Sequence, residues 1–365
     1  MKKTIFIVCL LIVTLIGSSF ATTTIELDKA YELLESNNSD ILLINEKIKI
    51  AEIELKINIS KAENAYVGSY SKESDTMSAA YKKEYNVTAK EIELLQLNRE
   101  KETILNDLKA EVYSKYISVN GDLLNKSLIT KQIDELNRNK EIIEKKYELG
   151  METKLNLDKI ENSILIKENE LSNNSRKIQN TIYEINSMLG LDIDKELSFD
   201  VSYAVLTNDI IDYDEVFSNL IETVKNSENV KNAKENLDLA YARKEVILEY
   251  LDDDSDYYDD VVDDILDLEK DYKDAKINTY LDVYTAINNL KQAKNQIEIS
   301  SNTYELNKKI YEVDVLKYDM GQIILNDKLE SFNNMLSLYI KLNSDQQNYL
   351  EQKKNFEMKY LNDIE

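Results

Sequence analysis

Apolar residues recur along this chain at helical spacing, with a period close to seven. Ile164, Leu171, Ile178 and Ile185 stand seven apart, and Ile160, Ile182 and Leu189 fill the alternate positions. Met335, Leu342, Tyr349 and Phe356 repeat the stripe further on. A stripe sustained in this way predicts an a/d-type seam between paired helices. With short helices the same stripe would read as an ordinary bundle core. Between Val87 and Leu149, however, only Gly121 interrupts the run and no Pro occurs. A helix of about sixty residues would be about 90 Å long, a length for which a compact domain has no use.

The chain also repeats itself. Glu111 to Leu189 can be laid on Asp282 to Tyr360 without a gap, at an offset of 171 (282 − 111), so that Lys146-Tyr147-Glu148-Leu149-Gly150 falls on Lys317-Tyr318-Asp319-Met320-Gly321. Upstream, Ile41, Ile44, Ile48 and Ala51 share their spacing with Val230, Ala233, Leu237 and Ala240 at an offset of 189 (230 − 41), each set behind an Asn-Ser-acid triplet at Asn38 or Asn226. The difference, 189 − 171 = 18, assigns about eighteen extra residues to the first copy, between its first two helices. Glycine falls where breaks are needed: Gly68 in a Ser/Tyr/Gly stretch, Gly150 and Gly321 at matching places, and Gly190 just past a seam. These signals predict helices over 26–65, 87–149, 153–189, 214–247, 265–319 and 325–362. The architecture expected is all-α, two tandem long coiled-coil hairpins, with the first repeat at 22–190, a connector at 191–213 and the second repeat at 214–365. The alternation Leu197-Ser198-Phe199-Asp200-Val201-Ser202-Tyr203 could add one short strand.

Composition sharpens this picture. The 365 residues include no Pro, Trp or His and only six Gly, and 31% are charged, which suits long helices with narrow apolar seams and wide polar faces. A formal net charge of −24 without clustered Lys or Arg argues against a nucleic-acid partner. At the N-terminus, Lys2 and Lys3 precede an apolar run from Ile5 to Ile16, and Ser19-Phe20-Ala21 carries small residues at the −3 and −1 positions of a cleavage site. A signal peptide over 1–21 is expected. A retained anchor is the alternative, although the apolar core is short for a membrane span.

The single cysteine, Cys9, lies inside that segment, so the mature chain would have no thiol, no disulfide and no Cys or His metal site. With neither His nor mature Cys, and no grouping of nucleophile, base and orienting residue, catalysis is not expected, and no cofactor is implied. The acidic run Asp252 to Asp264 could attract Ca²⁺, but it lacks the central Gly and closing Glu of a ligand loop. It reads more simply as a solvated loop at a hairpin end. The Tyr residues, Tyr113, Tyr116, Tyr284 and Tyr349 among them, fall in or beside the seams and read as packing.

The pattern Tyr147-x-x-Gly150-x-x-Thr153-x-x-Asn156-Leu157, repeated as Tyr318-x-x-Gly321 with Asp327 at the place of Asn156, resembles the hairpin tip of TolC-type outer-membrane efflux proteins. The exported N-terminus, the opening Ile25-Glu26-Leu27-Asp28-Lys29-Ala30 before Asn37-Asn38-Ser39, the Glu111-Val112-Tyr113 block and the Met188-Leu189-Gly190 close are similar to the same family. The resemblance implies a homotrimer in which each protomer gives two hairpins to a hollow cylinder. It also implies an adaptor protein and an inner-membrane transporter as partners, and an outer-membrane location. The adaptor-facing tips it implies are Leu149, Gly150, Met151, Thr153 and Asn156 in one copy and Met320, Gly321 and Asp327 in the other. The second tip departs from the pattern at Ile324, which stands where the first has Thr153.

Family members insert a pair of barrel strands between the first two helices of each copy. A spanning strand needs about nine to eleven residues of alternating character. The windows here, Tyr66 to Asn86 and Asp252 to Asp264, are respectively short and polar, and densely acidic. No complete membrane barrel is expected. Either the chain is a barrel-less relative from a cell without a conventional outer membrane, or its distal end docks onto something else. Two functions follow. One is an envelope channel component of an efflux or type I secretion-like system, exporting solutes passively through a trimeric tunnel. The other is an exported structural or adhesion coiled coil without transport. The duplicated tip favours the first and the missing barrel favours the second.

Overall fold

The computed structural model describes residues 23–68, 70–198 and 219–361. The expected signal segment with Cys9, and the connector beyond Ser198, lie outside the described residues. The architecture is two long helical hairpins, as the seams require. The first copy runs through α1 (Leu27–Asn37), α2 (Ser39–Glu63), α3 (Glu73–Ala80), a π-helical turn (Tyr81–Tyr85), α4 (Asn86–Glu148) and α5 (Lys154–Met188). The second runs through α6 (Leu220–Asn226), α7 (Glu228–Tyr250), α8 (Asp256–Asp319) and α9 (Leu325–Tyr360). Helices α4 and α8 have 63 and 64 residues, about 95 Å each. Both hairpin turns keep the 171-residue offset (319 − 148 and 325 − 154).

Three expectations are corrected. The first helices of the two copies are each broken, at Asn38 and Ser227, whose extended backbones end one helix and start the next. At Asn38 the reason is visible. Its side chain accepts from Asp40 N at 2.9 Å and its Nδ2 donates to the Met188 carbonyl at 3.1 Å, a tertiary bond that no local periodicity announces. The stretch 66–86, outside the expected helices, is also partly helical: it contains α3, with Met77 and Ala80 fully buried. Finally, most of the acidic run is helical, and α8 begins at Asp256 rather than near 265. Ser255 caps it by accepting from Tyr258 N, and Asp256 and Asp259 sit in the first turn, where carboxylates complement the helix dipole. Val261, fully buried, and Ile265 anchor that turn to the core.

Packing divides the rod into levels. At the waist Ile25, Leu34, Val112, Tyr116, Ile185 and Leu189 form one cluster. There the strands β1 (Thr23–Thr24) and β2 (Leu197–Ser198) pair in parallel, and Tyr116 Oη donates to the Ile25 carbonyl. The expected strand is thus seen at its first two residues; the rest of it lies outside the described residues. A second cluster joins Val224, Val283, Ile287, Leu290 and Phe356. A third, at the distal end, joins Met77 of α3 to Leu237, Ile247, Val261 and Ile265. Each fully buried aliphatic side chain contributes about 1.5–3 kcal/mol. The expected seam is buried along α5 at Ile160, Ile164, Ile178, Ile185 and Leu189, and along α9 at Leu342, Tyr349 and Phe356. No described helix is long and apolar enough to cross a membrane.

Both windows for barrel strands hold something else. The first carries a short connection followed by α3 and the π turn, and the second is reduced to Leu251–Ser255.

Candidate functional site: hairpin tips and open helical edges

Both hairpins turn by one mechanism. Gly150 has φ +71° and Gly321 has φ +69°, the left-handed conformation that glycine adopts without a Cβ penalty. Gly150 N donates to the Tyr147 carbonyl at 2.9 Å and Met151 N to that of Lys146 at 2.8 Å. Gly321 N and Gln322 N make the same two bonds to Tyr318 and Lys317, at the same lengths. This is the Schellman termination, which satisfies the last carbonyls of each helix. Gly190 closes α5 the same way.

The next helices start differently. Thr153 caps α5, its hydroxyl accepting from Asn156 N at 3.3 Å. The Glu152 carboxylate accepts from the Asn156 side chain and from Thr153 N, and these two donors hold it below the usual carboxylate range. Ile324 begins α9 with no side-chain cap. The two tips therefore differ at the helix that follows the turn, which has a side-chain cap in the first and none in the second, while both carry exposed apolar residues.

All the tip residues expected from the sequence lie on the surface at one end of the rod. Leu149 is 73% exposed, Met151 70% and Met320 63%, and Gly150, Thr153, Asn156, Gly321 and Asp327 are exposed as well. Of these, Asn156 lines a trough between the tip-side halves of α5 and α9, floored by α4 and lined further by Asn125, Gln132, Ser163, Asn326 and Asn333. Across that floor Gln132 Nε2 donates to Asn333 Oδ1 at 3.2 Å, and Lys328 pairs with Glu135 at 3.4 Å. Exposed Tyr147, Leu155, Leu316 and Ile324 extend the apolar tips. Tip residues that ought to be solvated are apolar here, and that signal was available in the sequence.

In the tip half the helices form an open row, α5–α4–α9–α8, and in the distal half α2 packs on α4 while α7 packs on α8. Glu235 of α7 accepts from the two terminal guanidinium nitrogens of Arg99 of α4, and Lys90 of α4 pairs with Glu54 of α2. The two ends of the row, α2 with α5 on one side and α8 on the other, turn long faces to solvent. Among the described residues no group of His, Cys, Asp or Glu is arranged to hold a metal ion.

No protein-family model matches the chain, and no curated protein matches it by sequence. Solved structures do. The outer membrane protein VceC from Vibrio cholerae is 11% identical with a TM-score of 0.66, over 91% of this chain and 95% of that one. CusC is 9% identical with a TM-score of 0.71, over 94% of each chain. The CmeC outer membrane channel of Campylobacter jejuni is 12% identical with a TM-score of 0.64, over 92% and 86%. With its paired long hairpins, glycine turns and open helical row, the chain has the fold of the TolC-type outer membrane efflux proteins.

Proposed function

We propose that this chain is the protomer of a TolC-like envelope channel, a component of an efflux or type I secretion-like system. Three copies close into a helical tunnel through which solutes are exported passively. The chain catalyses nothing and needs no cofactor. One observation carries the reading: a row of helices with solvent-facing apolar stripes at both edges is unfinished alone. Joined head to tail, such edges close a ring.

The tips are the docking end. Leu149, Gly150, Met151, Thr153 and Asn156, with Met320, Gly321 and Asp327, meet a periplasmic-type adaptor that connects the tube to an inner-membrane transporter. In the tip third no large apolar cluster joins the two hairpins, and the Glu135–Lys328 and Gln132–Asn333 contacts bridge them instead. Contacts of that kind, part-buried and polar, are worth little each, so an adaptor can shift one hairpin against the other. The distal end, closed by α3 and the start of α8, meets the envelope by a route other than a complete strand barrel.

The test is the mass of the purified mature chain in solution, by light scattering. The expected result is three chains per particle; a monomer at micromolar concentration would overturn the reading, because one row of helices encloses no tunnel.

A further inference from the structure

The duplication makes each chain a template for its own neighbours. Inside one chain the second hairpin lies against the first, with α7 on α4 in the distal half and α9 on α4 at the waist and below. In a head-to-tail ring the first hairpin of one copy lies against the second hairpin of the next in the same way, so that α2 and α5 meet α8 of that copy. Positions carry over by the two offsets of the sequence, 189 from α2 to α7 and 171 from α4 and α5 to α8 and α9. All of these helices are unbroken, so the offsets hold along them. The levels agree: Glu54 of α2 meets Lys90 of α4, which also pairs with Glu93, and Arg243 (54 + 189) meets Asp264 (93 + 171).

Polar contacts join α4 to α7 within the chain. Arg99 pairs with Glu235, Gln96 Nε2 donates to Asn236 at 3.0 Å, and the Thr103 hydroxyl donates to Glu228. Carried over to the contact between copies, these become Lys270 with Glu46 (99 + 171, 235 − 189), Asp267 with Lys47 (96 + 171, 236 − 189) and Asp274 with Ser39 (103 + 171, 228 − 189). Each is complementary: cation with carboxylate, carboxylate with cation, carboxylate with hydroxyl. Gln96 also reaches Glu235 at 3.5 Å, and the corresponding Asp267 and Glu46 are each answered by a lysine, so the four charges balance. All six side chains are exposed in the single chain. There Lys47 has Glu100 at 3.7 Å, Glu46 has Lys49 one turn along, and Lys270 has Asp274 at 3.7 Å, exposed ion pairs of the kind that are worth little. Glu46 continues the exposed α2 stripe of Ile50, Ile53 and Ile57, and Lys270 and Asp274 continue the α8 stripe of Ile277 and Leu281.

At the waist the same transfer gives an aromatic contact. Lys354 of α9 lies over the Tyr113 ring of α4, 5.7 Å from its centroid. The corresponding residues are Tyr183 of α5 (354 − 171) and Tyr284 of α8 (113 + 171), both exposed, with Tyr280 stacked beside Tyr284 at 6.4 Å.

We propose that a second copy docks in this register: Glu46 and Lys47 of one copy pair with Lys270 and Asp267 of the next, and Tyr183 packs on Tyr280 and Tyr284. This rests on the ring reading above and adds which residues meet and what fixes their alignment. Apolar stripes of one period can slide along each other, whereas an alternating set of charges cannot, because a shift parts each charge from its partner.

Sedimentation of charge-reversed chains tests this. Lys270→Glu and Glu46→Lys each set like charges together at every contact between copies, and should raise the concentration at which trimer gives way to monomer at least about tenfold, with the helical circular dichroism unchanged. Lys270→Glu/Glu46→Lys in one chain restores opposite charges across the contact and should return that concentration to within about threefold of the original. The double change does not restore the pairs with Asp274 and Lys49, so the rescue reads the contact between copies. Independently, Tyr183→Cys/Tyr284→Cys in a Cys9→Ser chain should be linked by a short bismaleimide into species of two and three chains. A trimer that ignores the single reversals, is not restored by the double one, or stays unlinked would overturn this register and leave the ring standing. A monomeric parent chain would remove both.

Discussion

Three glycines share one conformation and differ in what surrounds them. At Gly150 and Gly321 an added Cβ would meet nothing within 4 Å, so the cost of alanine is conformational alone, about 1–2 kcal/mol at a left-handed residue. At Gly190, with φ +63°, the Cβ would lie 2.8 Å from Asn37 Cβ and 3.2 Å from the Asn37 carbonyl oxygen. Asn37 itself donates to the Leu189 carbonyl. Gly190→Ala must therefore move backbone at the waist and should cost clearly more than Gly150→Ala or Gly321→Ala. Urea midpoints of the three variants decide it, and equal losses would contradict the account. The three glycines could be found as helix ends in the sequence. That one of them also lies against another helix could not, because Asn37 is more than 150 residues away along the chain.

Within the second hairpin, polar side chains do some of what apolar ones do higher up. Asp345 of α9 accepts from Gln296 and Ser300 of α8 and from Lys341. Burial pushes its carboxyl up, but the hydrogen bonds from Ser300, Lys341 and Gln296 and the Lys341 charge outweigh that and leave it below the usual carboxylate range. A carboxyl whose folded pKa is depressed stabilises the fold above its unfolded pKa, about 4, and loses that contribution as pH falls through the lower folded value. The α8–α9 hairpin should accordingly weaken in acid below about pH 4, and Asp345→Asn should flatten that limb of a melting-temperature profile. An unchanged acid limb in the variant would rule out Asp345 as its source. The helices that carry this network were legible from period and glycine spacing. The breaks at Asn38 and Ser227 were not, since a helix with good propensity stops at Asn38 because a tertiary carbonyl competes for its side chain. The acidic start of α8 was misread for a related reason: charge density suggested a loop, but capping and the burial of Val261 outweigh repulsion among carboxylates that reach water.

For the whole molecule, the exposed stripe on α2 bears most directly on assembly. Ile50 and Ile57 stand one heptad apart, each about half exposed, on the face opposite the one that packs on α4. Ile50→Asn/Ile57→Asn should leave the helical circular dichroism unchanged and bring the particle mass down to that of one chain. A trimer that survived the double change would show that copies meet through some other surface. Packing of apolar side chains carries the described rod. Clusters at the waist and the distal end bury apolar side chains against several helices at once, and the tip third between them and the turns is left to a simple seam.

The sequence by itself determined the class, the hairpins, their duplication and the places where they turn, because a seven-residue apolar period and a left-handed glycine are local properties of the chain. It also placed the tip residues together, since a hairpin turn brings its own neighbours with it. Only the tertiary structure decided how the hairpins lie side by side, that part of the stretch 66–86 folds as a distal helix, and which apolar stripes are spent inside one copy and which remain on its edges. Seams of both kinds have the same period. What separates them is whether another helix of the same chain comes within reach, and that depends on contacts between residues far apart in sequence.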